Sequence, residues 1–421
     1  MENNEIKQKI FSQSCLAKSA SAKLATLSLQ EKNKILALIA ESLYVNLKEI
    51  IFHNEIDVEA AKTAGLSQSL IDRISLDERK ISTIVQGVKD IILLDDPIGS
   101  LVETLKPATQ ISVKKVRVPL GVVSMIYEAR PGVTVDAAVL CLKSGNAVIL
   151  KGGSEALNSN RIIAKIIYSA GLNAGMPEGA IQFIDTSDRL AVQELLRLHG
   201  LIDLIIPRGS EDFVNYVKNS SLIPVLSHGK GLCHTYVDKD ADIDSALKVA
   251  FNAKCQRPSV CNAMETLLVH KDVSQDFLTK ICNSYEQAGV EIFACQESLK
   301  IIKNGKPATE ESWSTEYHDL KISIKIVGSV QEAIEHINKY GSHHSDAIIT
   351  KNEENAKRFA NEVDSSAVLI NASTRLHDGS VFGLGCEIGI STQKLHARGA
   401  MGLKELTTTK YIVEGNGAVR E

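Results

Sequence analysis

From residue 121 onward the chain switches between strand-like and helix-like periods every few residues, and this alternation limits its fold more than any other feature. Residues 121–127 read as a strand, 133–142 as a helix, and 147–150 as a short buried strand ending in Lys151-Gly152-Gly153-Ser154. A helix with Ile162, Ile163, Ile166 and Ile167 inside follows, then a strand at 181–184, a helix at 190–198, a strand at 201–206 and an apolar run at 222–226. Elements of this length in alternation make a parallel, doubly wound sheet with ligands at the carboxyl ends of its strands. The loops 128–131, 151–154, 207–210 and 227–231 are therefore expected to line one crevice.

The same alternation returns further along. Strands are expected at 266–269, 321–327, 347–350 and 367–371, with helices at 274–288, 330–340 and 353–362, so a second α/β unit begins near residue 261. The first hundred residues are helical instead. Ser28-Leu-Gln-Glu31 and Ser75-Leu-Asp-Glu78 both fit the S-x-x-E capping box and precede apolar residues at helical spacing. Residues 110–118 alternate as a strand pair does, with Lys114 and Lys115 between the apolar positions. The stretch from 383 to 399 has no clear period.

Chemistry concentrates in Asn252 to His270, which holds two thiols, Cys255 and Cys261, ahead of an apolar strand. A thiol at the mouth of a turn, held by the rigid strand that follows, suits a reactive centre, and Cys261 has that position. Buried filler is the ordinary role of a cysteine, and either thiol fits it too. All eight cysteines are scattered without C-x-x-C pairs, which argues against a zinc site or a disulfide framework, and no metal is expected. With a net charge of −4 and dispersed basic residues, the chain lacks the positive stripe that nucleic acid requires. It lacks the apolar run of a membrane span and the pattern of a signal peptide, so a cytoplasmic protein is expected. Lys151-Gly-Gly-Ser154 has the makings of an anion site, a strand leading into a helix N-terminus beside a cation, or is a plain turn. The histidines of His228-Gly-Lys-Gly231 and Gly341-Ser-His-His-Ser345 are loop residues of either structural or chemical use.

Taken together, the segments 121–160, Ser227 to Asp244, Asn252 to His270, Gly341 to Thr350 and Leu369 to Thr408 resemble the gamma-glutamyl phosphate reductase family of the aldehyde dehydrogenase superfamily, nearly end to end. The resemblance implies an aldehyde dehydrogenase-like α/β fold: an NADP-binding domain from 1–108 and 121–230, a catalytic domain from 231–375, and an oligomerisation ribbon and tail from 109–120 and 376–421. It implies NADPH-dependent reduction of L-glutamyl 5-phosphate to L-glutamate 5-semialdehyde, a step of proline biosynthesis, with Cys261 as nucleophile through a thioester. A homo-oligomer and a functional contact with glutamate 5-kinase are also implied.

For the cofactor, the resemblance points to Lys151, Gly152, Gly153, Ser154, Gly209 and Ser210, with Glu316 on the nicotinamide ribose. Ser154 stands where NAD-preferring relatives carry a glutamate, which favours NADP, although Glu155 follows directly. Arg130, Arg257 and His228 are assigned to the oxyanion or substrate, with Arg375, Lys394 and Arg398 as further anion partners. Two departures matter. Gly132 replaces an asparagine frequent in the family, and His228 is the approximate counterpart of the glutamate base of hydrolytic aldehyde dehydrogenases. A cysteine-dependent enzyme of the same superfamily acting on a CoA thioester or running as an NAD-dependent oxidation is the alternative, and a non-catalytic scaffold the other.

Overall fold

The computed structural model of the chain describes residues 3–107, 111–227, 229–415 and 417–420, with Ser69 by its backbone alone. It forms two compact units, Met1–Ser227 with Gly383–Gly389 and Met401–Glu421, and His228–Phe382 with Ile390–Ala400.

The first unit begins with five helices, α1 (Asn3–Leu24), α2 (Leu29–Val45), α3 (Leu47–Thr63), α4 (Gln68–Ile74) and α5 (Glu78–Leu93). Ser28 caps α2 in a complete capping box with Glu31. The second expected box is absent, because Asp77 caps α5 by accepting from the Lys80 N–H, while Ser75 ends α4. Asp77 caps a helix that begins at Glu78 and so meets the Lys80 N–H, whereas a Ser75 cap needs the helix to begin at Leu76.

Two strands follow, β1 (Leu101–Leu105) and β2 (Ser112–Pro119), and then the alternating part: β3 (Val122–Tyr127), α6 (Gly132–Lys143), β4 (Ala147–Gly152), α7 (Leu157–Asn173), β5 (Ile181–Phe183), α8 (Leu190–Leu195), β6 (Leu204–Arg208) and α9 (Glu211–Ser220). β3 to β6 make a parallel sheet in the order β5-β4-β3-β6. The apolar run at 222–226 is not a strand and contributes one bridge, Ile205 to Val225. Residues 110–118 supply one strand rather than two, and 108–110 lie outside the described residues.

The second unit contains β7 (Cys233–Val237), α10 (Ile243–Cys255), β8 (Met264–His270), α11 (Lys271–Gln287), β9 (Glu291–Ala294), α12 (Gln296–Leu299), β10 (Lys306–Pro307), β11 (Lys321–Val327), α13 (Val330–Tyr340), β12 (Ser345–Ile349), α14 (Glu353–Glu362) and β13 (Ala367–Ile370). They form a seven-stranded parallel sheet, β10-β9-β11-β8-β7-β12-β13. One apolar layer is built on α10 and α11 (Ala246, Ala250, Phe277, Ile281) and another on α13 and α14 (Ile334, Ile337, Phe359). The alternation alone missed β7, because His234 and Thr235 interrupt the apolar run that would have revealed a strand ahead of residue 261. The short pair β14 (Ile390–Ser391) and β15 (Gly399–Ala400) completes it. β16 (Thr407–Glu414) returns to the first unit and pairs antiparallel with β2, whose other neighbour is β1.

Candidate active site

In the first unit three of the four expected loops meet, at the carboxyl ends of β3, β4 and β6. The Glu128 N–H donates to the Arg208 carbonyl at 2.9 Å, and the Glu128 carboxylate accepts from the Ser210 N–H at 2.9 Å. Ala129 adopts a left-handed backbone, φ 44, and its N–H donates to the Glu155 carboxylate at 2.9 Å. Strain of this kind in a non-glycine residue marks a loop that its surroundings determine. Ala129 and Ala156 are anchored on Ala61, Ile71 and Ile74 of α3 and α4. Arg130 is exposed on the same loop, and Gly132 opens α6.

The residues assigned to the cofactor sit as follows. Lys151 is buried and donates to the Gly152 carbonyl at 2.7 Å, and burial lowers its pKa while Glu155 opposes that. Ser154 is exposed, 3.3 Å from the Glu155 carboxylate. A short 3-10 turn, Ser154–Ala156, stands between β4 and α7. The start of α7 is already used: Asp57 of α3 accepts from the N–H groups of Asn158 and Ser159 at 3.2 and 2.8 Å. Lys151 and Ser154 are polar side chains of this turn, and the α7 helix N-terminus is occupied by Asp57. Glu155 stands beside both, its carboxylate accepting from the Ala129 N–H, 3.3 Å from the Ser154 hydroxyl and near enough to Lys151 to oppose the lowering of its pKa. Gly209 and Ser210 lead into α9, where Gly209 packs on the Glu128 carboxylate.

The second unit holds Cys255 and Cys261. Its functional loops precede β7, β8, β11 and β12, and since these strands are parallel, they gather at the amino edge of the sheet, opposite to the usual rule. Residues 229–231 belong here rather than with the first sheet, and His228 lies outside the described residues. Cys261 is half-buried in the turn between α10 and β8. Its carbonyl accepts from the Cys233 thiol at 3.2 Å, and Gly231 presses so closely on its backbone that a side chain there would collide. Cys233 is fully buried, its Sγ 3.6 Å from His344 Nδ1. From there a chain runs on through Ser345 Oγ, 2.7 Å from His344 Nδ1, to His377 Nδ1, also at 2.7 Å.

Asn262, beside the thiol, is held at both ends of its amide: Nδ2 donates to the His377 carbonyl at 3.0 Å and Oδ1 accepts from Arg375. Arg375 also donates through Nε to the Gln256 side chain at 2.9 Å. Arg257 is exposed on the same turn. Cys255, by contrast, is the last residue of α10, and burial pushes its thiol up to about 11 against the pull of Lys254. Burial likewise raises the thiols of Cys141, Cys233, Cys282 and Cys386.

A buried ion pair flanks the turn, Lys254 to Glu265 at 2.6 Å with both side chains fully buried. Burial raises Glu265 to about 7, and its second oxygen accepts from the His318 N–H at 3.2 Å. This ties the Glu316 segment to the base of the nucleophile turn, and Glu316 is close enough to add to the upward shift on Glu265. His318 is left-handed, φ 54, and Tyr317 stacks on Phe293 at 5.4 Å. Lys394 and Arg398 are committed elsewhere, each pairing with Asp364 at 2.8 Å. Sequence reasoning missed Cys233 and His377 and noted His344 only as a loop histidine; the parallel register of β7 with β8 and β12 brings Cys233 and His344 beside the turn, and the loop after β13 brings His377.

The aldehyde dehydrogenase family model matches residues 7–292. The chain is 50% identical to gamma-glutamyl phosphate reductase of Halothermothrix orenii over 417 residues, 99% of this chain and 100% of that one. It is 51% identical to that of Clostridium tetani over 414 residues, 96% and 97% of the two chains. The crystal structure of gamma-glutamyl phosphate reductase from Thermotoga maritima superposes with a TM-score of 0.95 at 44% identity, covering 98% of this chain and 100% of that one. By sequence along its whole length and by fold, the chain belongs to the aldehyde dehydrogenase family and, within it, to the gamma-glutamyl phosphate reductases.

Proposed function

We propose that this oxidoreductase reduces L-glutamyl 5-phosphate to L-glutamate 5-semialdehyde and phosphate with NADPH, through a thioester on Cys261, in the cytoplasm as a step of proline biosynthesis. The observation that carries this is Cys261 itself: a half-buried thiol on a turn clamped from four directions, in a chain about half identical to reductases of that name. The Cys261 thiolate attacks the acyl carbon, the carbon–sulfur bond forms, and the carbon–oxygen bond to phosphate breaks with its electron pair. Phosphate leaves well, so no strong general acid is required. When bound, NADPH supplies the hydride that reduces the thioester.

The chain's own residues do the rest. Lys151 and Ser154 bind the 2′-phosphate and Glu316 orients the ribose. The backbone N–H groups of the 260–262 turn stabilise the oxyanion that develops in both steps, since the Asn262 amide is spent on His377 and Arg375. Arg257 and Arg130 bind anionic groups of the substrate. Collapse of the reduced adduct expels the thiolate, which returns Cys261 ready for another turnover.

The test runs the reaction backwards. Semialdehyde with NADP should give sustained NADPH formation only when phosphate or arsenate is present as acyl acceptor, and Cys261→Ala should abolish it. Sustained turnover in phosphate-free buffer would assign water as acceptor and move the enzyme among the hydrolytic aldehyde dehydrogenases.

A further inference from the structure

Arg375 lies far from Cys261 in sequence, on the short 3-10 turn Thr374–Leu376, and its own N–H donates to the Ser373 hydroxyl that caps the turn. Its guanidinium is half-buried, and its Nε and one Nη reach back to Gln256 and Asn262, the two ends of the nucleophile turn. Both acceptors are neutral amide oxygens. A guanidinium that spends its fork on amides keeps its positive charge uncompensated by direct contact, and a planar fork fixes what it holds.

We propose that Arg375 is a positioning residue for the nucleophile: it clamps the 256–262 turn at both ends and holds a positive charge beside it that keeps Cys261 as the thiolate before any substrate arrives. This rests on Cys261 being the nucleophile. The electrostatics of the turn agree with the geometry. Burial and Arg257 work against the charge on Arg375, while Asp378, Cys261 and Cys233 favour it, so the guanidinium and the Cys261 sulfur lie within electrostatic reach. Of the other groups around the turn, Asp346, Glu316 and Glu265 oppose an extra negative charge, since after burial they push the Cys233 thiol up, and Lys254 is matched to Glu265. Burial keeps the His377 imidazole neutral, and His344 is fully buried beside it. Among the described residues, Arg375 and the exposed Arg257 are cations on or against the turn, and Lys230 stands next to Gly231, which touches the Cys261 backbone.

The experiment reads the thiol without substrate. The rate of iodoacetamide alkylation at Cys261, followed by mass spectrometry across pH 5 to 10, gives its pKa in wild type, Arg375→Met and Arg375→Lys. Since the thiolate is the species that reacts, Arg375→Met should shift the profile up by about one unit and slow alkylation at pH 7 about tenfold. Arg375→Lys, which keeps the charge but cannot grip both amides, should stay within about threefold of wild type at pH 7 while kcat falls. If Arg375→Met does not fold, Gln256→Ala carries the test at an exposed position, and a several-fold slower alkylation at pH 7 is expected. Superimposable profiles for the charge-removing variant and wild type would overturn the proposal, whatever their activities. Full activity in Cys261→Ala would instead overturn the assignment of the nucleophile, a separate result.

Discussion

Cys261 and Cys255 belong to one short stretch, are both half-buried and differ in what surrounds them: one is on a clamped turn, the other ends a helix with its thiol raised by burial to about 11. Cys261→Ala should lose activity by several orders of magnitude with an unchanged melting temperature, and Cys255→Ala should lose little; equal losses would refute the distinction. Lys151→Met should lower kcat/KM for NADPH about tenfold or more and that for NADH far less, because a 2′-phosphate is the only group the two cofactors do not share. Steady-state kinetics with both cofactors checks this. A third consequence concerns acid. Burial, with His344 adding to it and Asp378 opposing it, lowers the His377 pKa from 6.5 to about 4. Between those values the unfolded chain binds a proton that the folded one refuses, so this stability is full above pH 6.5 and is lost as pH falls towards 4. The loss is on the order of 3 kcal/mol at the acid end, and His377→Asn should flatten that part of a plot of Tm against pH. The thiol was legible in the sequence because turn and strand are local signals. Its partners were not, since Cys233, His344 and Arg375 reach the turn through strand register and a distant loop, which no local period encodes.

Elements were legible in proportion to how strongly one face is buried. α13 falls where its apolar spacing places it, as does β11 with its buried Ile322 and Ile324. β1 was not legible, since all five of its residues are exposed and no face is marked by burial. Lys254 and Glu265 show what a local pattern hides: each looks like a surface charge in sequence, yet both are fully buried and join α10 to β8 across the nucleophile turn. Lys254→Met leaves a carboxylate in the interior and should cost about 3–5 kcal/mol, whereas Lys254→Met with Glu265→Leu should recover much of that. Denaturant unfolding of the two variants distinguishes this from a surface pair, whose loss costs below about 1 kcal/mol.

At the scale of the molecule the three-stranded sheet stands out. Leu101 and Val102 of β1 and Tyr411 and Val413 of β16 are exposed on it. We propose that a second copy of the chain covers this sheet in a homo-oligomer, since apolar surface on open strands is otherwise a liability. Val102→Lys with Val413→Glu should yield monomers by size-exclusion chromatography with light scattering, and an unchanged mass would refute the site. The α/β alternation made two parallel sheets legible, but not that the chain leaves the first unit at Ser227 and comes back to it at Gly383 and Met401. That return has a consequence for how the protein is made. On the ribosome, β2 emerges long before β16, and the second unit's sheet can assemble while β2 still waits for its partner. Through that interval a bare strand edge invites pairing with other nascent chains. The positive charges of Lys114, Lys115 and Arg117 on β2 repel such neighbours until the last strand to be translated arrives to seal it.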